Sequence, residues 1–116
     1  MKRFLSCFVV VLLLAGHVAA QGPAGLVVYF ESGDEVYLLL AEHAGSKRGW
    51  AGFGGGPREG ETISQTAAHK GMEESRGYFS QADLLAAIKD PAPVMDGDFA
   101  SYFAKVDFVP APAVMN

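Results

Sequence analysis

The chain has 116 residues, half of them hydrophobic, with a net charge of −4 at neutral pH and a single cysteine. That length allows one small domain with a modest core and leaves no room for a second. The acidic balance, with no basic cluster beyond Lys47-Arg48, excludes a binder of duplex nucleic acid, which needs a cationic face to displace counterions.

In chain order, Lys2 and Arg3 precede an apolar run from Phe8 to Ala15, and Val18-Ala19-Ala20 supplies small residues for cleavage before Gln21. Residues 1–20 therefore read as a signal peptide; an uncleaved anchor would call for about 17–25 apolar residues. Removing 20 of the 116 residues leaves 96, takes away Cys7, and moves the charge from −4 to −6 with the loss of Lys2 and Arg3. The mature domain, residues 21–116, is then expected outside the cytoplasm, periplasmic or secreted. It needs no oxidant to fold and has no membrane attachment after cleavage.

Leu26-Val27-Val28-Tyr29-Phe30 and Val36-Tyr37-Leu38-Leu39-Leu40 are continuous β-prone apolar runs, which predicts strands buried on both faces. Ser32-Gly33-Asp34 between them predicts a hairpin. A polar stretch from His43 to Gly49 follows, then Trp50 and the glycines Gly52, Gly54, Gly55 and Gly56. Such glycine density argues against a strand interior and for a backbone that turns sharply or approaches another group closely.

Thr62 and Gln65 match a capping box, so the spacing predicts a helix from Ile63 to about Ser75. Ala67, Ala68, Gly71 and Met72 form its apolar side, and Thr66, Lys70, Glu73 and Glu74 its other side. Gly71 weakens a helix by about 1 kcal/mol relative to Ala, which points to tight packing against the sheet. Ser80 and Asp83 open a second, short helix through Leu84, Leu85 and Ile88 that Pro91 stops. Phe99 to Val109 reads as a last strand ended by Pro110 and Pro112, and the tail to Asn116 has no periodicity.

The chemistry-bearing residues are three carboxylates, Glu61 at the helix entrance and Glu73 and Glu74 in its final turn. Acidic groups near a helix C-terminus face the negative end of the macrodipole, which disfavours each by about 0.3–1 kcal/mol, so a cation should compensate. Mg²⁺ takes oxygen ligands and keeps waters that phosphate oxygens can replace; an acidic pair beside a glycine loop suits a diphosphate.

The stretch Gly55-Gly56-Pro57-Arg58-Glu59-Gly60-Glu61, followed after seven residues by His69-Lys70-Gly71-Met72-Glu73-Glu74, resembles the Nudix box of the Nudix hydrolase superfamily. Gly55, Glu61, Glu73 and Glu74 fall in register with that pattern. Trp50, Phe53 and the order strand, strand, glycine loop, helix are also similar to a Nudix domain, and the resemblance covers roughly Leu26 to Val109. It implies an α/β fold, a Nudix-like α/β/α sandwich with a mixed sheet, and metal-assisted hydrolysis of a nucleoside diphosphate linked to another group. It further implies Mg²⁺ (or Mn²⁺) on Glu73 and Glu74, with Glu61 as a less secure third ligand. Gly54, Gly55 and Gly56 with Trp50 would hold the substrate.

Four box positions depart from the pattern, and they bear on catalysis more than on the fold. His69 stands for the box Arg, Lys70 for the first Glu of the helix, Gly71 for an apolar residue, and Arg76 for the closing Gly, with Gly77 one place late. Lys70 is thus placed among the catalytic candidates Glu73 and Glu74 with the wrong charge. The resemblance also implies a strand and a packing helix after Val109, so the fold is expected to be incomplete at its C-terminus, with an open sheet edge or an uncovered apolar face.

Two other chemistries weigh less. Gly55, Gly60 and Thr62 are spaced as in a P-loop, but Glu61 replaces the lysine that must touch phosphate, and no Gly-x-Gly-x-x-Gly follows a strand. His17 leaves with the leader, and His43 and His69 without a Cys or a near His partner read as solvated rather than as zinc ligands. Two function classes stay open. One is an exported Nudix-type hydrolase of a phosphorylated small molecule, with impaired activity; the other is a non-catalytic Nudix-like module that binds a phosphate ligand or a protein partner. The bland alternative for Glu73-Glu74 is a solvated helix end neutralised by Lys70 and Arg76.

Overall fold

The computed structural model describes residues 21–42, 49–88 and 92–115. The signal-peptide reading of residues 1–20, the polar stretch 43–48 and the stop at Pro91 lie outside the described residues. The protein is a mixed α/β domain. Its elements run β1 (Ala24–Ser32), β2 (Glu35–Leu39), β3 (Ala41–Glu42), β4 (Trp50–Ala51), β5 (Phe53–Gly55), α1 (Ile63–Glu74), α2 (Gln81–Ala87), β6 (Val94–Asp96), β7 (Phe99–Lys105) and α3 (Ala111–Met115).

The main sheet has the order β2-β1-β7-β6, with β5 paired to β1. β1 and β7 run parallel, in register from Ala24 opposite Ala100 to Tyr29 opposite Lys105, and the other pairs are antiparallel. β2 and β5 share one side of β1: β2 lies along Val28 to Ser32 and β5 along Ala24 to Leu26. The hairpin expected at Ser32-Gly33-Asp34 is formed, with Ser32 opposite Glu35 and Gly33 at φ 60°. A second hairpin of the same kind joins β6 to β7 around Gly97, also at φ 60°. β6 was not among the expected elements, because three residues are too few for a periodic signal.

Period-two alternation sends Ala24, Leu26 and Val28 of β1 and Ala100, Tyr102 and Ala104 of β7 to one face, where they are buried. Ala67 and Ala68 of α1, Leu84 of α2 and Phe53 of β5 close the core on that face, and Val109 and Val114 join the same cluster. The opposite face carries Val36, Leu38, Val94 and Phe103, which are 59, 55, 60 and 48% exposed. Among the described residues no helix covers them. This corrects the expectation that the first two strands are buried on both faces, and it matches the expected uncovered apolar face.

Three further expectations are corrected. Gly54 and Gly55 lie inside a strand after all, opposite Gly25 and Ala24. A Cβ on Gly25 would fall 2.2 Å from Phe53 O, and one on Gly54 would fall 2.8 Å from Phe99 Cζ, so the glycines serve close approach within the sheet, with the Phe99 ring over the pair. β7 ends at Lys105 rather than Val109, although the Val106 N–H still donates to Tyr29 O at 2.8 Å. The tail forms the short helix α3, because Val114 has a core to enter, which local periodicity cannot reveal.

Candidate functional site

α1 begins where its sequence places it. Thr62 Oγ1 accepts from the Gln65 N–H at 3.3 Å, and Gln65 Oε1 accepts from the Thr62 N–H at 2.9 Å, which completes the capping box. Gly71 is the contact point with the rest of the domain: a Cβ there would lie 2.5 Å from Leu84 Cδ1 and 3.4 Å from Leu26 Cδ1. Close packing at Gly71 sets α1 down across β1 and carries Lys70, Glu73 and Glu74 to the glycines of β5.

At that end the helix and the glycine strand are joined directly. The Gly54 N–H donates to Glu74 Oε1 at 2.7 Å. The Lys70 stem lies over Gly55, where a Cβ would meet its Cε at 2.8 Å, and its ammonium donates to Glu73 Oε1 at 3.2 Å. The Arg58 guanidinium stands 3.7 Å from Glu73 Oε2. These donors replace the cation that two carboxylates at the negative end of a helix call for. Lys70, by its hydrogen bond and its charge, holds the Glu73 carboxyl below the usual carboxylate range; burial pushes the other way, and the His69 ring adds a lesser lowering.

Helix closure departs from the usual residue choice. Gly77 N–H donates to Met72 O at 2.8 Å and Arg76 N–H to Glu73 O at 3.1 Å, the two bonds of a Schellman motif, with Arg76 in the left-handed position at φ 55°. Arg76 therefore stands in the conformation that glycine adopts most readily. Ser75, buried, ties the end down by donating to Met72 O and accepting from the Phe79 N–H, each at 3.2 Å.

His69 is not the solvated histidine expected. It is 1% exposed, and its ring sits between two of the candidate carboxylates. Nε2 donates to Glu73 Oε2 at 3.2 Å. Nδ1 lies 3.4 Å from Glu61 Oε1 but makes no hydrogen bond. Thr66, placed on the outer side by the helical pattern, is also buried, and its hydroxyl donates to Thr62 O at 3.1 Å and lies 3.4 Å from Glu61 Oε1. Glu61 is consequently drawn back into the loop, where it also accepts from the Arg58 N–H at 2.8 Å. Burial pushes its carboxyl up, yet the Arg58 amide, the His69 ring and the Arg58 charge together outweigh this and leave it lowered.

No family model, curated protein or solved structure matches this chain. The site's chemistry therefore rests on its own geometry.

The structure brings Gly54 to Glu74, Gly55 to Lys70, Lys70 to Glu73, and Glu61 to Glu73 through His69. Gly56 is exposed with open space where a Cβ would stand, and Trp50, 65% exposed, belongs to the separate β3–β4 ribbon. Neither of two surface cavities reaches the carboxylates. One, about 140 Å³, is lined by Gly25, Val27, Gly52 and Phe99; the other, about 530 Å³, by Tyr78, Asp83, Lys105 and Phe108.

A divalent cation would find Glu73 and Glu74 side by side on the last turn of α1, and it would have to displace Lys70 to take Glu73. Glu61 is held off by His69 and Arg58, and among the described residues no group of three His, Cys, Asp or Glu side chains is arranged to hold an ion. If bound, the metal would neutralise charge on phosphate oxygens and activate water. His69 and Arg58 were missed from the sequence as members of the site. The available signal was the spacing of His69 four residues before Glu73, which puts the two side chains on one face of the helix.

Proposed function

We propose that the protein is an exported Nudix-type hydrolase that cleaves a diphosphate linkage in a nucleoside diphosphate derivative or a similar phosphorylated metabolite. Its cofactor is Mg²⁺ or Mn²⁺, and its turnover is impaired by Lys70. One observation carries the reading: the glycine strand and the acidic end of α1 meet, with the Gly54 N–H on Glu74 at 2.7 Å. The Lys70 ammonium and the Arg58 guanidinium, both against Glu73, supply positive charge for a phosphate group beside that junction. The spacing of Gly55, Glu61, Glu73 and Glu74 supports a Nudix-like α/β/α sandwich around that site.

A second reading, a non-catalytic Nudix-like module that binds a phosphate ligand, is favoured by one contact. The Lys70 ammonium lies 3.2 Å from Glu73 Oε1, where the hydrolase reading places metal. An ammonium attracts phosphate as a point charge but does not activate water as a bound metal does.

The deciding experiment measures phosphate release from a panel of nucleoside diphosphate derivatives with Mg²⁺ and with Mn²⁺, together with calorimetry of metal binding. The hydrolase reading expects slow, metal-dependent release that Glu73→Gln with Glu74→Gln abolishes while the circular dichroism is unchanged. Ligand binding without metal and without turnover would establish the second reading. Metal binding as tight in the double variant as in the parent would reduce the acidic pair to a solvated helix end.

A further inference from the structure

The parallel pairing of β1 and β7 ends with Lys105 opposite Tyr29 and the Val106 N–H on Tyr29 O at 2.8 Å. Just past it, at the carboxyl end of the pair, lies the cleft of about 530 Å³. Small-molecule sites span about 300–1,000 Å³, and open α/β sheets hold their ligands outside the carboxyl ends of strands. The Gly54–Glu74 junction is elsewhere, since Gly54 pairs with Gly25, roughly 13 Å back along β1 from Tyr29 at strand spacing. None of Glu61, Glu73 and Glu74 lines the cleft, so what it binds is a separate question from the hydrolase reading.

Aromatic rings stand on two of the segments that line it. Tyr78 and Phe79, between α1 and α2, meet edge to face with ring centroids 5.0 Å apart. Phe108, between β7 and α3, meets Phe30 edge to face at 5.3 Å, and Phe30 stacks on Tyr37 at 5.1 Å. Tyr78 and Phe108 are nonetheless 45 and 72% exposed, whereas Phe79 and Val109 are buried. Each exposed ring is thus backed by another ring and still offers apolar surface to whatever enters.

The charges select the occupant. Three charged side chains line the cleft: Asp83, Lys105 and Asp107. Lys105 is neutralised by Glu31 at 3.2 Å. Asp83 and Asp107 are exposed and, among the described residues, have no ion-pair partner. Asp83 lies in the first turn of α2, where the helix end favours a negative charge. An anion would be repelled by the two carboxylates, and a neutral apolar molecule would take water from them and give nothing in return. A divalent ion needs several oxygen ligands, and among the described residues no three acidic or histidine side chains are arranged to hold one. An organic cation meets every condition. Its ammonium answers the carboxylates and is attracted to ring faces, and its apolar body covers the rings.

We infer that this cleft binds a small organic cation, an amine carried on an aromatic or similarly apolar body, with Asp83 and Asp107 accepting from the ammonium and Tyr78 and Phe108 beside the body.

The test uses the full chain, labelled with ¹⁵N, titrated with 2-phenylethylammonium and, in parallel, with 2-phenylethanol and phenylacetate. The expected result is saturable amide shifts for the ammonium, with a dissociation constant of about 1 mM or below, centred on residues 78–87 and 105–109. The alcohol should bind at least about tenfold more weakly and phenylacetate should not saturate. Asp83→Asn with Asp107→Asn should bring the ammonium down to the level of the alcohol, and Phe108→Ala should weaken it at least about fivefold. Equal binding of the alcohol and the ammonium to the parent would overturn the proposal, and this comparison needs no variant to fold. So would shifts that do not saturate, or binding that the Asp83 and Asp107 substitutions leave unchanged. Binding lost in Glu73→Gln with Glu74→Gln would place the amine at the acidic end of α1 and overturn it as well.

Discussion

The Lys70 ammonium and Glu73 Oε1 lie 3.2 Å apart, and the stem that carries the ammonium covers Gly55. One side chain thereby occupies both the acidic pair and the glycine surface beside it. Lys70→Glu reverses the charge at that point and frees Glu73, and at about 5 Å such a reversal outweighs ordinary surface screening. Mg²⁺ affinity measured by calorimetry should rise by at least about tenfold, and metal-dependent phosphate release should rise with it. High activity in the parent that falls on this substitution would show instead that Lys70 belongs to a working mechanism.

Acid should loosen this end of α1 before it unfolds the domain. Glu61 and Glu73 both have folded-state values lowered from the ordinary 4.5, so the stability they contribute is fully present above that value. It is lost as pH falls below 4.5 and through the lowered values, when the two carboxyls take up protons in the folded state. Urea midpoints should hold steady from neutral pH down to about 5 and then decline. Glu61→Gln with Glu73→Gln should flatten the decline, and an unchanged acid profile in that variant would refute the assignment.

Arg76 carries a cost that glycine would remove. At φ 55° it is the single non-glycine residue with a positive φ among the described residues, and an L side chain there loses roughly 1–2 kcal/mol relative to the right-handed region. Glycine's extra chain entropy returns about 0.5–1 kcal/mol of that. Arg76→Gly is therefore expected to stabilise the domain by about 0.5–1 kcal/mol, read as a raised denaturation midpoint with an unchanged slope. Destabilisation would mean that the Arg76 side chain makes a contact worth more than the strain.

Gly71 gives the opposite sign. Ala is better than Gly in a helix by about 1 kcal/mol, but the added methyl would stand 2.5 Å from Leu84 Cδ1, and overpacking costs about 1–3 kcal/mol. Gly71→Ala should lower stability by about 1 kcal/mol and shift α2. Gly71→Ala with Leu84→Ala should recover helix propensity without recovering the lost Leu84 burial, so its stability should fall below that of the parent. A single Gly71→Ala that is more stable than the parent would show that α1 can move away from the sheet freely.

Local patterns were enough for the elements whose determinants are local. The Thr62–Gln65 capping box places the start of α1 at Ile63, Ser80 opens α2, and the residues Ser32-Gly33-Asp34 make the first hairpin; each is a matter of a few neighbouring hydrogen bonds and dihedral preferences. The close packing at Gly71 was legible for a similar reason, since a glycine inside a good helix implies that something comes near. The carboxylates could be read as a group because helical spacing alone puts Lys70, Glu73 and Glu74 on adjoining positions.

What surrounds a residue from elsewhere in the chain was decided by the tertiary structure. Helix periodicity gives no reason for His69 to be buried. It is buried because Glu61, in the loop before the helix, turns back against its Nδ1 while Glu73, one turn further along the helix, meets its Nε2. Gly54 and Gly55 look like breakers in isolation, and they form a strand because Gly25 opposite them lets two backbones approach under the Phe99 ring. The exposure of Val36 and Leu38 follows from pairing as well. Their sequence is as apolar as that of any buried strand, but burial requires a second layer, and a strand's own residues carry no information on whether one is there.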